Sequence, residues 1–375
     1  MEKILVAFDA TATPELLFGA GYYVKELLIE LDECKEIALK IITRKNDKNR
    51  FKEFAPNAEI LNIAPDSKFL RIFFQIFQLG PIVDRLKVNL FHGPHYQTPK
   101  NMKTKSVVTI HDMTLLMHKD FHQGVKTKFF SKIIPASINR ASAIIAVSQN
   151  TSDDIEKIFT KHSPIFVAPL GVDTKRFHTQ KDESEKTLLE TRGIASDYIA
   201  FLGLLEPRKS VPTLINAFTL IHDEFPNLKL VLAGSLGWGS KKIRESIVKS
   251  SAAGKIIAPG RLAESETGPF LRNALIFVYP SLYEGFGMPV LESMSCGTPT
   301  ITTNSSSLRE VAGNGALLFE PQDEKTLAAL LTTLLKDQKL RDELSSKGLR
   351  RSKKFSWKNC ASIHLEAYQK VAQLQ

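Results

Sequence analysis

The sequence predicts an α/β chain made of two doubly wound parallel-sheet domains facing a cleft. Short apolar runs alternate with longer amphipathic stretches along the whole chain, the rhythm of parallel strands joined by crossover helices. That alternation breaks at Pro169-Leu170-Gly171-Val172-Asp173 and the polar stretch from His178 to Lys186, and then begins again. A length of 375 residues also exceeds one ordinary core and suits two. The boundary is therefore expected between residues 171 and 186, giving domains 1–174 and 175–355. Ligands of such sheets bind beyond the carboxyl ends of the strands, so the loops there are where chemistry is sought.

Each element follows from its local pattern. In the first half, Ile4 to Phe8 reads as a strand, and Gly19 to Leu31 as a helix with Val24, Leu27, Leu28 and Leu31 on one face. Further strands are expected at Ile37 to Ile42, Leu90-Phe91, Val107 to Ile110, Ile144 to Val147 and Ile165 to Ala168. Ser148-Gln149-Asn150 ahead of Asp153 and Asp154 reads as a capped helix start. In the second half, strands are expected at Tyr198 to Leu202, Leu228 to Ala233, Ile256-Ile257, Ile276 to Tyr279, Pro299 to Thr302 and Ala316 to Phe319. The clearest helices there are Val211 to Phe225 and Glu324 to Leu335. Trp357, Ala361, His364, Tyr368 and Val371 recur at helical spacing, so the final helix has an apolar face that needs a partner.

Composition narrows the function. Hydrophobic residues at 43% and charged residues at 24% match a folded globular chain. Cys34, Cys296 and Cys360 are far apart and form no CxxC pair, which fits a reducing cytoplasm and argues against disulfides or structural zinc. The start, Met1 to Asp9, lacks the apolar length of a signal peptide, and no run is long enough to span a membrane. The formal charge of +10 leaves nucleic acid, an anionic membrane or an anionic small molecule as partners. The cations are scattered, with modest groups at Lys100, Lys103, Lys105 and at Lys126, Lys128, Lys132 and no nucleic-acid motif beside them, so nucleic acid is set aside.

The most informative segment runs from Pro280 to Glu292. Gly285 and Gly287 flank Phe286, where the backbone can bend and approach a ligand closely. Pro289 suits the first position of a following helix, which ends near Cys296 ahead of Gly297. The amides of Phe286, Gly287 and Met288 then lie at a helix N-terminus and favour an anion or a hydroxyl. Glu284 in the loop and Glu292 on the helix could address two ends of one hydroxyl-rich ligand, or be a capping acid and an ion-pair partner. His111 and Asp112 close an apolar strand, as a structural hydrogen bonder or as a site residue. Phe18-Gly19-Ala20-Gly21 opens the first helix, but a dinucleotide fingerprint would need a glycine where Val24 stands. No D-x-D pair occurs, so no metal is expected.

Glu284 and Glu292 match the E-x7-E motif, in its EGFG form, of family 4 retaining glycosyltransferases, and the sequence is similar to that family along nearly its whole length. Gly203-Leu204-Leu205-Glu206-Pro207-Arg208-Lys209 resembles the donor-phosphate loop, and Gly171-Val172-Asp173 with Phe177 the inter-domain segment. Leu308-Arg309-Glu310-Val311 and Phe355-Ser356-Trp357 follow the same pattern in the same order. The resemblance implies a GT-B fold of two Rossmann-like domains, with the final helix, 356–375, packing back on the first.

It also implies roles. Glu292 would bind the ribose hydroxyls and Glu284 the transferred sugar, while Arg208 and Lys209 would neutralise the leaving pyrophosphate. Gly19 and Gly21 would approach the donor phosphate or the acceptor. His111 would stabilise positive charge at the anomeric carbon. Arg261 and Leu262 would meet the base, and Gly285, Phe286, Gly287 and Met288 would line the donor site. His92 and His95 have weaker claims, and His118 and His122 could line the acceptor side. One departure is Leu204, where many members carry arginine. The expected activity is metal-independent, cofactor-free, retaining hexosyl transfer from a nucleotide-diphosphate sugar to a glycan or lipid-linked acceptor. In the family this is a front-face reaction in which the leaving phosphate takes the acceptor's proton. The Glu-Pro-Arg-Lys form of the loop favours GDP-mannose over a UDP-sugar. A nucleotide-sugar epimerase and a non-catalytic regulatory subunit share the architecture and remain alternatives. The expected location is the cytoplasm, with peripheral membrane contact through Lys68 to Phe77 if that segment is a surface helix rather than a buried one.

Overall fold

The structure is a computed structural model that describes residues 3–122 and 124–374. Met1, Glu2, Gln123 and Gln375 lie outside the described residues, as do the side chains of Val125 and Lys126; the expectations for the extreme N-terminus and for Lys126 fall there. The chain divides into two compact units, Met1–Gly171 with Trp357–Gln375, and Val172–Ser356.

In the first unit seven parallel strands form one sheet: β1 Ile4–Asp9, β2 Ile37–Arg44, β3 Glu59–Ala64, β4 Leu90–Gly93, β5 Ser106–Ile110, β6 Ala143–Ala146 and β7 Ile165–Val167. Their spatial order is β3-β2-β1-β4-β5-β6-β7, with the winding reversed between β1 and β4. The inner strands are mostly apolar because both sheet faces are covered there: Val6, Ala7, Phe8, Ile41, Phe91, Val108, Ile110 and Ile144 are fully buried. Ser148 caps the Gln149–Ile158 helix by accepting the amide of Thr151.

The second unit repeats the plan with six strands: β8 Tyr198–Leu202, β9 Lys229–Ala233, β10 Ile256–Gly260, β11 Ile276–Tyr279, β12 Thr300–Thr303 and β13 Leu317–Phe319. The order is β10-β9-β8-β11-β12-β13, and every pairing is parallel. β10 continues past Ile257 through Pro259 because it is an edge strand with a register shift before Gly260, where a missing amide breaks no ladder.

The helix Trp357–Gln373 belongs to the first unit, where Trp357, Cys360, Ala361, His364, Ala367, Tyr368 and Val371 are buried. Its polar atoms join a chain of hydrogen bonds in the core. His364 Nδ1 lies 2.7 Å from the Cys360 carbonyl, which can only accept, so that nitrogen carries the proton. Burial lowers the pKa of His364 to about 4 and that of His92 well below the ordinary value, so both are neutral at pH 7. This fixes the remaining directions. Tyr23 donates to His364 Nε2, Thr109 donates to Tyr23, His92 Nε2 donates to Thr109, and Tyr368 donates to His92 Nδ1, at 2.8, 2.8, 2.8 and 2.6 Å.

Three features differ from the expectations. β3 has no clear alternation, since Glu59, Asn62 and Ile63 on an edge strand are exposed, and it escaped notice in the sequence. Within the polar stretch after the break lies a short helix, Ser184–Glu190, held by a buried ion pair from Arg272 Nη2 to Glu185 Oε1 at 2.6 Å. The segment from Lys68 is helical but not buried. Lys68–Phe73 buries no residue, and Phe69, Leu70, Phe73 and Phe77 face solvent. A π-helical turn, Phe74–Gln78, follows, and it buries Phe74 together with Gln75, which hydrogen-bonds Asp9 and Thr11.

Candidate active site

In the second unit the winding reverses between β8 and β11, and in open α/β sheets a ligand crevice opens at that point. The loops leaving these two strands carry the expected residues. After β8, Pro207–Lys209 makes one tight turn that ends on Ser210 at φ 47° and leads into the Val211–Ile221 helix. After β11, residues 280 to 287 lead into the Met288–Ser295 helix. The two loops are joined directly, the Leu282 amide donating to the Arg208 carbonyl at 2.8 Å.

Side chains complete the join. Lys209 Nζ lies 2.6 Å from Glu284 Oε1, and Arg208 Nη1 lies 2.7 Å from Glu284 Oε2. Lys209 also donates to the Tyr279 hydroxyl, and Ser281 Oγ donates to Glu284 Oε1, both at 2.5 Å. Arg208 further reaches the Tyr283 carbonyl at 2.7 Å and Glu206 Oε1 at 3.1 Å. Burial alone would raise the Glu284 pKa, but Arg208 and Lys209 outweigh it and hold it at about 2. The pKa of Lys209 is lowered by burial and by Arg208. Glu284 is thus an ionised acceptor at any physiological pH. Two donors fill Oε1, while Oε2 receives Arg208 and keeps a lone pair for a ligand hydroxyl.

The backbone of Glu284 is fixed by the Ser306–Ala312 helix. The Glu284 amide donates to Ser306 Oγ at 2.9 Å, and Ser307 Oγ donates to the Glu284 carbonyl at 2.8 Å. Leu308 of the same helix fills the space beside Gly287. A Cβ added at Gly287 would lie 2.5 Å from Leu308 Cδ2, and the backbone there has φ 99°, so glycine is required twice over. Phe286 is buried edge-to-face on Phe355 at 5.7 Å. The amides of Phe286, Gly287 and Met288 donate to no acceptor among the described residues, which leaves a ready anion site. Pro289 occupies the second position of the helix rather than the first, where its missing amide is equally harmless.

Glu292 sits one helical turn further on. Burial pushes its carboxyl up to about 7, with Arg176 pulling it down and Asp173 pushing it up. Its carboxyl makes no hydrogen bond with any described residue, which leaves its oxygens open to a ligand donor. Arg261 is exposed just beyond β10, following Gly260 at φ 78°, whereas Leu262 turns inward and is buried. Leu204, the departure from the arginine of many family members, is exposed. Glu206, which sequence reasoning took only as part of a motif, is a member of the charged cluster; its i, i+2 spacing from Arg208 was the available signal.

The first unit holds the other candidates. Gly19 caps the Ala20–Asp32 helix at φ 47° with nothing within 4 Å of where a Cβ would be, so a ligand can approach its backbone. Gly21 is buried against Leu17 and Pro14, and its amide donates to the Phe18 carbonyl; its role is packing the turn. His111 follows β5. Its Nε2 lies 2.8 Å from the Pro94 carbonyl and therefore bears the proton, while burial lowers its pKa; Nδ1 carries a lone pair. Tyr23, His95 and Tyr96 pack around the ring at 4.9, 5.5 and 5.5 Å. His92 belongs to the core chain of hydrogen bonds. His122 Nε2 contacts Thr114 Oγ1 at 2.7 Å, and His118 stacks on Phe121. Among the described residues no group of three or more His, Cys, Asp or Glu is placed to hold a metal ion, and no helix is long and apolar enough to cross a membrane.

Two parallel-sheet units with a charged cluster and free amides at a switch point define a GT-B glycosyltransferase, and comparison with known proteins agrees. Residues 190–351 match the family model of glycosyl transferases group 1, and residues 19–176 that of glycosyltransferase family 4. With both models matched, one in each half, the chain is a glycosyltransferase carrying a glycosyltransferase family 4 domain followed by a glycosyl transferases group 1 domain. It is 29% identical over 281 residues to an Escherichia coli O-antigen chain mannosyltransferase B, covering 74% of each chain. It is 27% identical over 333 residues to the serotype-specific mannosyltransferase WbdA of E. coli, covering 85% of this chain but only 38% of that longer protein. Among solved structures, a sucrose-phosphate synthase from Thermosynechococcus elongatus superposes with a TM-score of 0.79 at 19% identity, covering 98% of this chain and 99% of the other. The Anabaena protein HepE, solved with UDP and glucose, gives 0.75 at 16%, covering 98% and 100%.

Proposed function

We propose that this glycosyltransferase moves mannose from GDP-mannose to a glycan or lipid-linked acceptor, with retention at the anomeric carbon and without a metal. The observation that carries the reading is the constellation at the β8–β11 switch point. The buried Lys209 and the half-buried Arg208 pair with one carboxylate beside three unused amides, and an unbonded carboxyl lies one helical turn on. This order suits a nucleotide-diphosphate sugar. Glu292 as carboxylate accepts the ribose hydroxyls, the amides of residues 286 to 288 take the diphosphate, and the spare lone pair of Glu284 Oε2 accepts a sugar hydroxyl. Arg208 and Lys209 stabilise the charge that grows on the leaving diphosphate, the work a divalent cation would otherwise do.

Glu284 is ion-paired on both oxygens and is therefore a positioning acceptor rather than a nucleophile. We assign the acceptor's proton to the departing phosphate oxygen. Mannose and GDP are supported by the mannosyltransferase relatives and by the Glu206-Pro207-Arg208-Lys209 loop. The test is incubation with GDP-mannose and a mannose-terminated oligosaccharide in EDTA, with the product linkage read by NMR. An α-linked mannoside is expected. A β-linked product would contradict retention, loss of turnover in EDTA would contradict metal independence, and transfer only from a UDP-sugar would overturn the donor.

A further inference from the structure

The segment from Lys68 to Gln78 is oriented opposite to a core helix. It buries Gln75 and Phe74, yet Phe69 is 84% exposed, Leu70 61%, Phe73 53% and Phe77 51%. These four lie on one helical face, and the rings of Phe73 and Phe77 pack on each other at 5.0 Å in the open. The orientation is fixed from beneath, because Gln75 Nε2 donates to Asp9 Oδ2 and Thr11 Oγ1 at the end of β1. The neighbouring loop exposes Leu16 and Phe18, at 64% and 63%. Its carbonyls at Pro14 and Glu15 accept from Arg50, so loop, helix and the segment after β2 form one continuous surface. Large apolar side chains gathered in this way mark a docking surface.

The rim states the kind of partner. Residues 14–18, 44–54 and 65–78 hold seven basic residues, Arg44, Lys45, Lys48, Arg50, Lys52, Lys68 and Arg71, against the acids Glu15, Asp47, Glu53 and Asp66. Lys45, Lys48 and Lys68 are exposed. We infer that this basic-rimmed apolar face of the first unit docks on an anionic lipid bilayer, with Phe69, Leu70, Phe73 and Phe77 entering the headgroup–acyl boundary and the lysines meeting the headgroups. A second protein copy would bring the same cations face to face, whereas an anionic bilayer complements them. The surface adjoins the loop that carries Gly19, so docking holds that loop at the membrane plane, where a lipid-linked acceptor presents its sugar. This last point rests on the proposed function; the docking does not.

The experiment is co-sedimentation of the full chain with vesicles of phosphatidylglycerol and phosphatidylcholine, against vesicles of phosphatidylcholine alone, at low and high salt. Binding to the anionic vesicles that weakens with salt is expected, with a loss of about tenfold or more in F69S/L70S/F73S. K68E gives a smaller loss in the same direction, and because all these side chains are exposed the melting midpoint stays unchanged. No binding of the wild-type chain would overturn the proposal, as would full binding by the triple variant or equal binding to both vesicles. A dimer in light scattering that the triple variant dissociates would assign the face to a second copy instead.

Discussion

Four charged side chains, Glu206, Arg208, Lys209 and Glu284, sum to no net charge, although the site is proposed to hold a diphosphate. Leu204 adds no cation to correct this. The Arg208–Glu206 pair at 3.1 Å is the more open of the contacts and competes with a phosphate for the guanidinium. Glu206→Gln should therefore tighten GDP binding several-fold in calorimetry; weaker binding would show that Glu206 aids the ligand. Glu284→Ala should instead destabilise the second unit by about 3–5 kcal/mol, since it leaves Lys209 with a buried, uncompensated charge and Arg208 with Glu206 alone. Urea unfolding reads this directly. Glu292 supplies a pH signature. Its folded pKa of about 7 lies above the ordinary carboxyl value, so its stabilising contribution is complete in acid and is lost as pH rises through about 7. Donor binding should run the other way, because the proposed role of Glu292, accepting the ribose hydroxyls, needs the carboxylate. Affinity for GDP-mannose, whose diphosphate has no proton to lose in this range, should rise between pH 6 and 8 in the wild type and stay level in Glu292→Gln.

At the scale of elements, the turn into the Met288–Ser295 helix is the constraint that bears most directly on the site. Gly287→Ala forces a Cβ onto Leu308 at φ 99° and should cost about 2 kcal/mol or more while lowering donor affinity. Adding Leu308→Ala removes the clash but not the backbone strain, so thermal melts should show partial recovery only. This turn was legible because glycine spacing, a strand before and a proline after are local signals. The loop-to-loop ion pairs were not, because Arg208 and Glu284 lie 76 residues apart and nothing local announces that they meet. The Lys68–Phe77 segment misled for a related reason. Apolar content reports what a segment could bury, and here the adjacent Gln75, bonded to Asp9 and Thr11, took the inward position and turned the phenylalanines out. β3 was missed because an edge strand needs no alternating pattern.

Across the whole molecule, the parallel-sheet class and the two sheets were readable from rhythm alone, since buried parallel strands are unbroken apolar runs. The membership of Trp357–Gln373 in the first unit's core rests on polar atoms that periodicity does not reveal. Tyr23→Phe interrupts that chain at its centre and should cost about 1–3 kcal/mol, readable as an earlier urea transition. The central claim, a nucleotide-sugar site at the β8–β11 switch point, is tested most directly by titrating GDP-mannose and UDP-glucose calorimetrically in EDTA, with wild type, Lys209→Ala and Glu292→Ala compared. The account predicts saturable binding of GDP-mannose by the wild type in EDTA and clear weakening in both variants. Wild-type affinity in both variants, or no binding of either sugar nucleotide, would contradict it.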